Sequence, residues 1–407
     1  MVSFHGLQVL ASLIFESIWL IITFPISGGI NERYRNNLTQ SLKVLFCRKS
    51  LAFPILDAKI VSAYSNSFLF SVTAWQFPRV TQGLNNYNVR YDKNSIWVVE
   101  AKNRSKDDPI IIYLHGGGYY CQTAPTQAQS LLAIYSLVEP SKREKLSVLF
   151  LDYSLASYGN ELLTQLHELT ATYTRLAKDG NTDFRFIGDS AGGHLSTTFT
   201  QYLYKEQNPE LPYPRSLILV SPWVKLGADK IQHTEGHSYY DNEARDVVQY
   251  SFFSEPDRGA TLVGDLNVQS LVVSPGNTPD KKNSDWSRIP TYSKPGYSVF
   301  VVLGEHESFL DDILEFSEYA LRSPLKRPSE SGGVFDPKKH SWTNGGGSNE
   351  AYFEVYIEPQ GVHDAGLFLE NAVLSEIEDN PNLKVSQIND KEYFGIKRIV
   401  EFLDKTL

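Results

Sequence analysis

A chain of 407 residues, 42% of them hydrophobic, carries enough apolar surface for one large core, so a single α/β domain with a cap is expected rather than two independent domains. The net charge of −9, with no lysine-rich stripe and no interleaving of basic with aromatic residues, excludes nucleic acid as a partner. Two cysteines, Cys47 and Cys121, cannot build a disulfide framework and are either free thiols or one bridge; no Cys/His spacing suggests a metal, and no cofactor is expected.

Gly6 to Ile26 is almost continuously apolar, interrupted by Gln8, Ser12, Glu16, Ser17, Thr23 and Pro25. About 20 such residues can cross a bilayer, and residues 1–30 are read as an uncleaved N-terminal membrane anchor. A helix lying in the membrane surface or on the cap, and a cleaved signal peptide, are the other readings, although the last lacks a basic start and an A-x-A site. Residues 31–86 mix apolar patches with Pro54 and Pro78 and read as an N-terminal cap segment.

From residue 87 to the end, strand-like and helix-like runs alternate. Tyr87 to Arg90, Ile96 to Ala101, Ile110 to Leu114, Val148 to Asp152, Phe184 to Ile187, Ser216 to Val220, Val299 to Leu303 and Tyr352 to Ile357 read as strands. Helical patterns lie between most of them, including Thr126 to Val138, Glu161 to Lys178 and Gly193 to Gln207. The alternation predicts a mostly parallel, doubly wound sheet over 87–407. Residues 225–288, with Tyr239, Tyr240, Tyr250, Phe252 and Phe253, read as a cap insertion. Residues 323–349, rich in Gly, Ser, Pro and Lys, read as a disordered loop with no chemical role.

The chemistry is concentrated where the strand at Phe184 meets a helix. Gly188, Asp189, Ser190, Ala191, Gly192 and Gly193 form the G-x-S-x-G turn that presents a serine nucleophile, with glycines relieving the crowding around a strained residue. A second motif, His115, Gly116, Gly117 and Gly118, closes the strand Ile110 to Leu114. Backbone N–H groups of Gly116 and Gly117, joined by that of Ala191, would receive the negative oxygen of a tetrahedral intermediate. His115 and Gly118 would support that loop, and Asp189 the elbow.

A serine needs a base, and the base a carboxylate to hold it, here in the chain order serine, acid, histidine. His363 follows the strand-like Tyr352 to Ile357 and a short loop and precedes an apolar helix start, the expected placement for the base. His194, one helical turn after Ser190, is expected to bond locally. The strand ending at Leu303 runs into Gly304, Glu305, His306, Glu307, Ser308, Phe309, Leu310, Asp311 and Asp312. Glu307 sits just past the strand and is favoured as the acid, with Asp311 the alternative; Asp311 and Asp312 also suit the first turn of a helix.

These motifs resemble the hormone-sensitive-lipase-like branch of the α/β-hydrolases, and within it the fungal steryl acetyl hydrolases. The resemblance rests on His115 to Tyr119 (HGGGY), Asp152 and Tyr153, Gly188 to Gly193 (GDSAGG), Ser221 to Val224 (SPWV), Asp285 and Trp286, Gly304 to Asp312, and Gly361 to His363, and spans about residues 87–405. It aligns Glu307 with the family's acid. Ser154 and Ser157 stand where the family's DYRLAP segment has arginine and proline, and His194 where asparagine is common. The resemblance implies an α/β-hydrolase fold with a helical cap, and a cap segment whose Phe68, Phe70, Trp75 and Phe77 would suit a bulky apolar substrate.

The expected activity is therefore hydrolysis of lipophilic short-chain esters, implied by the resemblance to be sterol acetates, through an acyl-enzyme on Ser190. An acyltransferase on the same groups, or a binding protein on the same fold, are the alternatives. The resemblance also implies an endoplasmic reticulum membrane enzyme facing the lumen, where the sequons at Asn37 and Asn103 would be glycosylated. Arg33, Arg35, Lys43, Arg48 and Lys49 argue for the opposite, cytosolic side by the positive-inside tendency.

Overall fold

Runs of apolar β-formers with both faces covered can satisfy their backbone only by pairing with one another in the interior. They do so in one nine-stranded sheet of order β1-β2-β4-β3-β5-β6-β7-β9-β8. The strands are β1 (Val89–Asp92), β2 (Ser95–Val99), β3 (Ile110–Leu114), β4 (Ser147–Leu151), β5 (Phe184–Asp189), β6 (Ser216–Val220), β7 (Ser298–Gly304), β8 (Ser341–Asn344) and β9 (Tyr352–Glu358). The computed structural model describes residues 2–208, 210–254, 261–329, 331–347 and 349–407. The six central strands from β4 to β9 are parallel, while β1, β2 and β8 add antiparallel pairs at the two edges. β2 to β7 are buried along their whole length.

Eight helices of more than ten residues are present among the described residues: α1 (Phe4–Ser27), α2 (Leu38–Ala52), α3 (Asn66–Gln76), α4 (Pro125–Leu137), α5 (Thr164–Lys178), α6 (Ala191–Glu206), α7 (Leu310–Leu321) and α8 (Phe394–Thr406). One apolar cluster joins a sheet face to α5 and α6, and a second joins the other face to α4 and α8. This is the doubly wound arrangement, and it brings the carboxyl ends of β3, β5, β6, β7 and β9 to one rim, where such folds place their ligands.

Two expectations need correction. The 323–349 segment is not simply a loop: a turn of helix, Pro337–His340, leads into β8, which pairs with β9 through Ser341↔Tyr356 to Asn344↔Phe353. Its short polar composition hid a strand because an edge strand needs a partner more than an apolar face. The first strand also begins two residues later than expected, at Val89.

α1 runs back over α2. Ser3 bonds Asp57 at its amino end, Glu16 pairs with Lys49 midway, and beyond its carboxyl end Gly29 lies against Ser41. Gly6, Val9 and Leu20 are buried, while Phe15, Ile18, Trp19, Ile22 and Ile26 are exposed, and an 18-residue window has mean hydropathy 2.1. α1 is thus long and apolar enough to cross a membrane, and it docks on the domain through one narrow face.

Candidate active site

Ser190 follows the last residue of β5 and precedes the first residue of α6, with φ 49° and ψ −111°, a conformation that L-residues rarely adopt. The glycines around it are sterically required. A Cβ on Gly192 would lie 1.7 Å from the carbonyl oxygen of Leu114, and one on Gly188 would lie 2.4 Å from that of Gly192. Helix and strand can approach this closely only without side chains, and the result is a serine raised above the sheet rim.

His363 reaches the same point from the loop after β9. Its Nε2 lies 2.9 Å from Ser190 Oγ, and its Nδ1 faces Glu307 Oε1 at 3.9 Å. Glu307 comes from the loop after β7, is fully buried, and is held by its other oxygen, which accepts from Gly304 N–H and Ser221 Oγ–H, both at 2.7 Å. Neither Nδ1 nor Oε1 has a hydrogen-bond partner among the described residues, so each is left to face the other. With the Nδ1 proton turned to the carboxylate, Nε2 is left to accept the serine proton, the arrangement that makes a hydroxyl nucleophilic.

Asp311 does not join this group. Its carboxylate accepts from Ser238 N–H at 2.7 Å in the first turn of α7, and Asp312 accepts from Gln232 and Tyr239. The competing histidines are engaged elsewhere. His194 bonds the Val273 carbonyl through Nε2 and the Tyr119 hydroxyl through Nδ1, and His115 bonds the Gly116 carbonyl and stacks on Tyr153. Burial lowers both imidazoles to about 4, so they stay neutral.

The glycine cradle differs from the expectation in one donor. Gly116 N–H is committed to Asp189 Oδ2 at 2.9 Å, so it does not face the serine as an oxyanion donor. Asp189 lies beneath the elbow and also receives the Tyr113 hydroxyl and the Gln127 amide; its burial outweighs these bonds and raises its pKa to about 6. Among the described residues no acceptor takes the N–H of Gly117 or Gly118, and both glycines have positive φ, at 106° and 58°. Ala191 opens α6, where first-turn N–H groups lack helical partners.

A cavity of about 350 Å³ adjoins Ser190, His363 and Gly117. Its roof comes from α2, through Lys43, Phe46, Cys47, Ser50 and Leu51, with Val61, Val247 and Phe368 adding apolar wall. The cap segment thus covers the site, but with residues other than the aromatics singled out from sequence: Phe70 is buried in the core, and Phe68 and Trp75 point to solvent. Cys47 and Cys121 both line the cavity and are not joined in a disulfide.

Three residues near the reacting groups escaped the sequence reading of roles. Ser221, at the end of β6, buttresses Glu307, and its place at a strand's carboxyl end was the available signal. Asp364 lines the cavity with its Oδ2 3.6 Å from His363 Nε2; burial, then Asp189 and Glu307, push its carboxyl well above the usual range. Asp246, in the 225–288 insertion, bonds the backbone of both His363 and Ser308. Nothing in its local sequence marks it.

A serine on a strained strand-to-helix turn, with an imidazole on its oxygen and a carboxylate behind, on a doubly wound sheet, defines the α/β-hydrolase class of serine ester hydrolases. Within that class the sequence matches the steryl acetyl hydrolase family over residues 7–320, and the chain belongs to that family. It is 28% identical over 319 residues to mug81 of Schizosaccharomyces pombe, covering 77% of this chain and 72% of the relative. It is 25% identical over 246 residues to steryl acetyl hydrolase 1 of Saccharomyces cerevisiae, covering 54% and 56%. A hormone-sensitive lipase from a metagenome library superposes with TM-score 0.54 at 20% identity, over 89% of this chain and 96% of that one. An esterase of the bacterial hormone-sensitive lipase family does so with TM-score 0.52 at 20% identity, over 90% and 97%, which is a likeness of fold.

Proposed function

We propose that the protein removes the acetyl group from esters of bulky lipophilic alcohols, sterol acetates foremost, through an acyl-enzyme on Ser190. The observation that carries this reading is the 2.9 Å contact between His363 Nε2 and Ser190 Oγ at the wall of an apolar cavity. Nε2 takes the hydroxyl proton as Oγ attacks the ester carbonyl. The N–H groups of Gly117, Gly118 and Ala191 receive the oxyanion, and Glu307 stabilises the imidazolium. Collapse passes the proton to the departing alcohol and leaves the acyl group on Oγ. Water, deprotonated by the same nitrogen, then releases acetate and restores the serine.

The α2 roof supports the substrate class, because an apolar wall over the serine favours an alcohol with a large hydrocarbon body. The exposed side of α1 supports a membrane location, where such esters reside. Asn37 and Asn103 are both solvent-exposed, as a lumenal, glycosylated enzyme of the endoplasmic reticulum requires. The test is to incubate membranes bearing the wild type or Ser190→Ala with a panel of acetyl esters that includes sterol acetates. Release of acetate by the wild type alone is expected; equal release by both overturns the assignment, and a preference for short water-soluble acetates overturns the substrate class.

A further inference from the structure

We propose that Asp246 is a positioning residue for this reaction, its carboxylate clamping the backbone of the histidine loop to that of the acid loop and so setting how His363 meets Glu307. The inference rests on the reading of Ser190, Glu307 and His363 as the reacting groups. Asp246 belongs to neither loop: it lies in the insertion between β6 and β7 and is fully buried. Its Oδ1 accepts the N–H of His363 at 2.8 Å, and its Oδ2 accepts the N–H of Ser308, the residue after Glu307, at 2.7 Å. One carboxylate therefore receives one bond from each half of the acid–base pair. Charge-assisted bonds to backbone N–H groups are among the stronger hydrogen bonds, and buried ones resist exchange with water.

The geometry shows why such a clamp matters. The loops arise from different strands, and the backbone bond from His306 N–H to the Gly361 carbonyl fastens their bases but not the reacting residues. Glu307 Oε1 and His363 Nδ1 stand 3.9 Å apart, about 1 Å beyond a hydrogen bond, so a small drift of either loop would separate them further. The same segment adds a second hold, because Asn242 donates to the Glu307 carbonyl at 2.9 Å. Asp246 is itself fixed from the cavity roof: Arg48 of α2 donates through Nε and Nη2 to the Asp246 carbonyl. The roof, the acid loop and the histidine loop thus converge on one residue.

The charge has its own consequence. Carboxyl groups near His363 come from Glu307 on the acid loop, Asp364 on its own loop and Asp246 on the insertion, while Arg48 is the cation near Asp246. Burial raises the Asp246 pKa, and the neighbouring His363 draws it back down. The ionised carboxylate favours the imidazolium formed during the reaction, so removing that charge moves the acid limb of the kcat/KM profile to lower pH.

The experiment compares Asp246→Asn and Asp246→Glu with the wild type, using a soluble acetyl ester, after thermal melts establish folding, and with Ser190→Ala as the inactive reference. Asp246→Asn keeps the shape, loses one acceptor and the charge, and is expected to lower kcat at least tenfold with KM within threefold, with the acid limb shifted down. Asp246→Glu keeps the charge but displaces the acceptors, and is expected to lower kcat with the acid limb unmoved. A folded Asp246→Asn with kcat within twofold of the wild type and an unshifted limb overturns the inference. Where that variant does not fold, Asp246→Glu with kcat within twofold does the same. Full activity of Ser190→Ala would instead overturn the reading of the reacting groups.

Discussion

Replacing Glu307 by glutamine removes one charge and hardly changes the side-chain volume, which makes it a direct measure of what the acid contributes. Glu307 is fully buried, with its free oxygen 3.9 Å from His363 Nδ1. At an effective dielectric of about 20, a unit charge at that distance stabilises an imidazolium by about 4 kcal/mol. If the imidazolium is fully formed in the transition state, the loss is about a thousandfold in kcat. A glutamine amide oxygen can still accept from Gly304 N–H and Ser221 Oγ–H, so the fold is expected to survive, as a thermal melt would show. The assay is steady-state hydrolysis of a soluble acetyl ester, with KM expected to stay within about threefold, since the charge acts on the transition state rather than on the bound ester. A folded Glu307→Gln that keeps more than a tenth of the wild-type kcat would refute the reasoning. If Asp311→Asn then proved inactive, the role would pass to Asp311.

Leu51→Trp narrows the cavity under α2 and is expected to raise KM for a sterol acetate about tenfold or more while leaving a small aryl acetate within about threefold; equal effects on both would detach the cavity from alcohol recognition. Burial holds His115 and His194 at about 4 in the folded chain against about 6.5 when unfolded, so the unfolded state binds more protons between those values, and stability is lost as pH falls from about 6.5 towards 4. Urea titrations across that window should show His194→Gln flattening the slope by up to about 1.4 kcal/mol per pH unit, and an unchanged slope would count against neutral burial. Endoglycosidase treatment is expected to increase gel mobility, with Asn37→Gln and Asn103→Gln each removing one step, whereas insensitivity of the wild type would place the domain on the cytosolic side.

Much of the site was legible because its determinants are local. A strained serine between a strand and a helix demands glycines on either side, and an HGGG run demands a turn where backbone replaces side chain, so Gly188, Gly192 and Gly117 announce themselves in the sequence. His363 and Glu307 stand out by their position just past a strand, and the fold brings His363 to Ser190 and Glu307 to His363. The contacts of Gly116 and Asp246 were not legible, because a hydrogen bond between residues 73 or 117 positions apart leaves no periodic trace. β8 escaped for a related reason, since its pairing with β9 rather than its composition makes it a strand.

By itself the sequence determined the alternation of most strands and helices from residue 87 onward, the strained serine with its glycines, and the apolar length of α1, for each is written in the spacing of neighbouring residues. Only the tertiary structure decided that Gly116 is spent on Asp189, that α2 rather than the Phe68 to Phe77 aromatics covers the serine, and that a carboxylate from the insertion joins the two reacting loops. Those outcomes depend on which distant segments share a few ångströms of buried space, where an N–H has only one acceptor within reach.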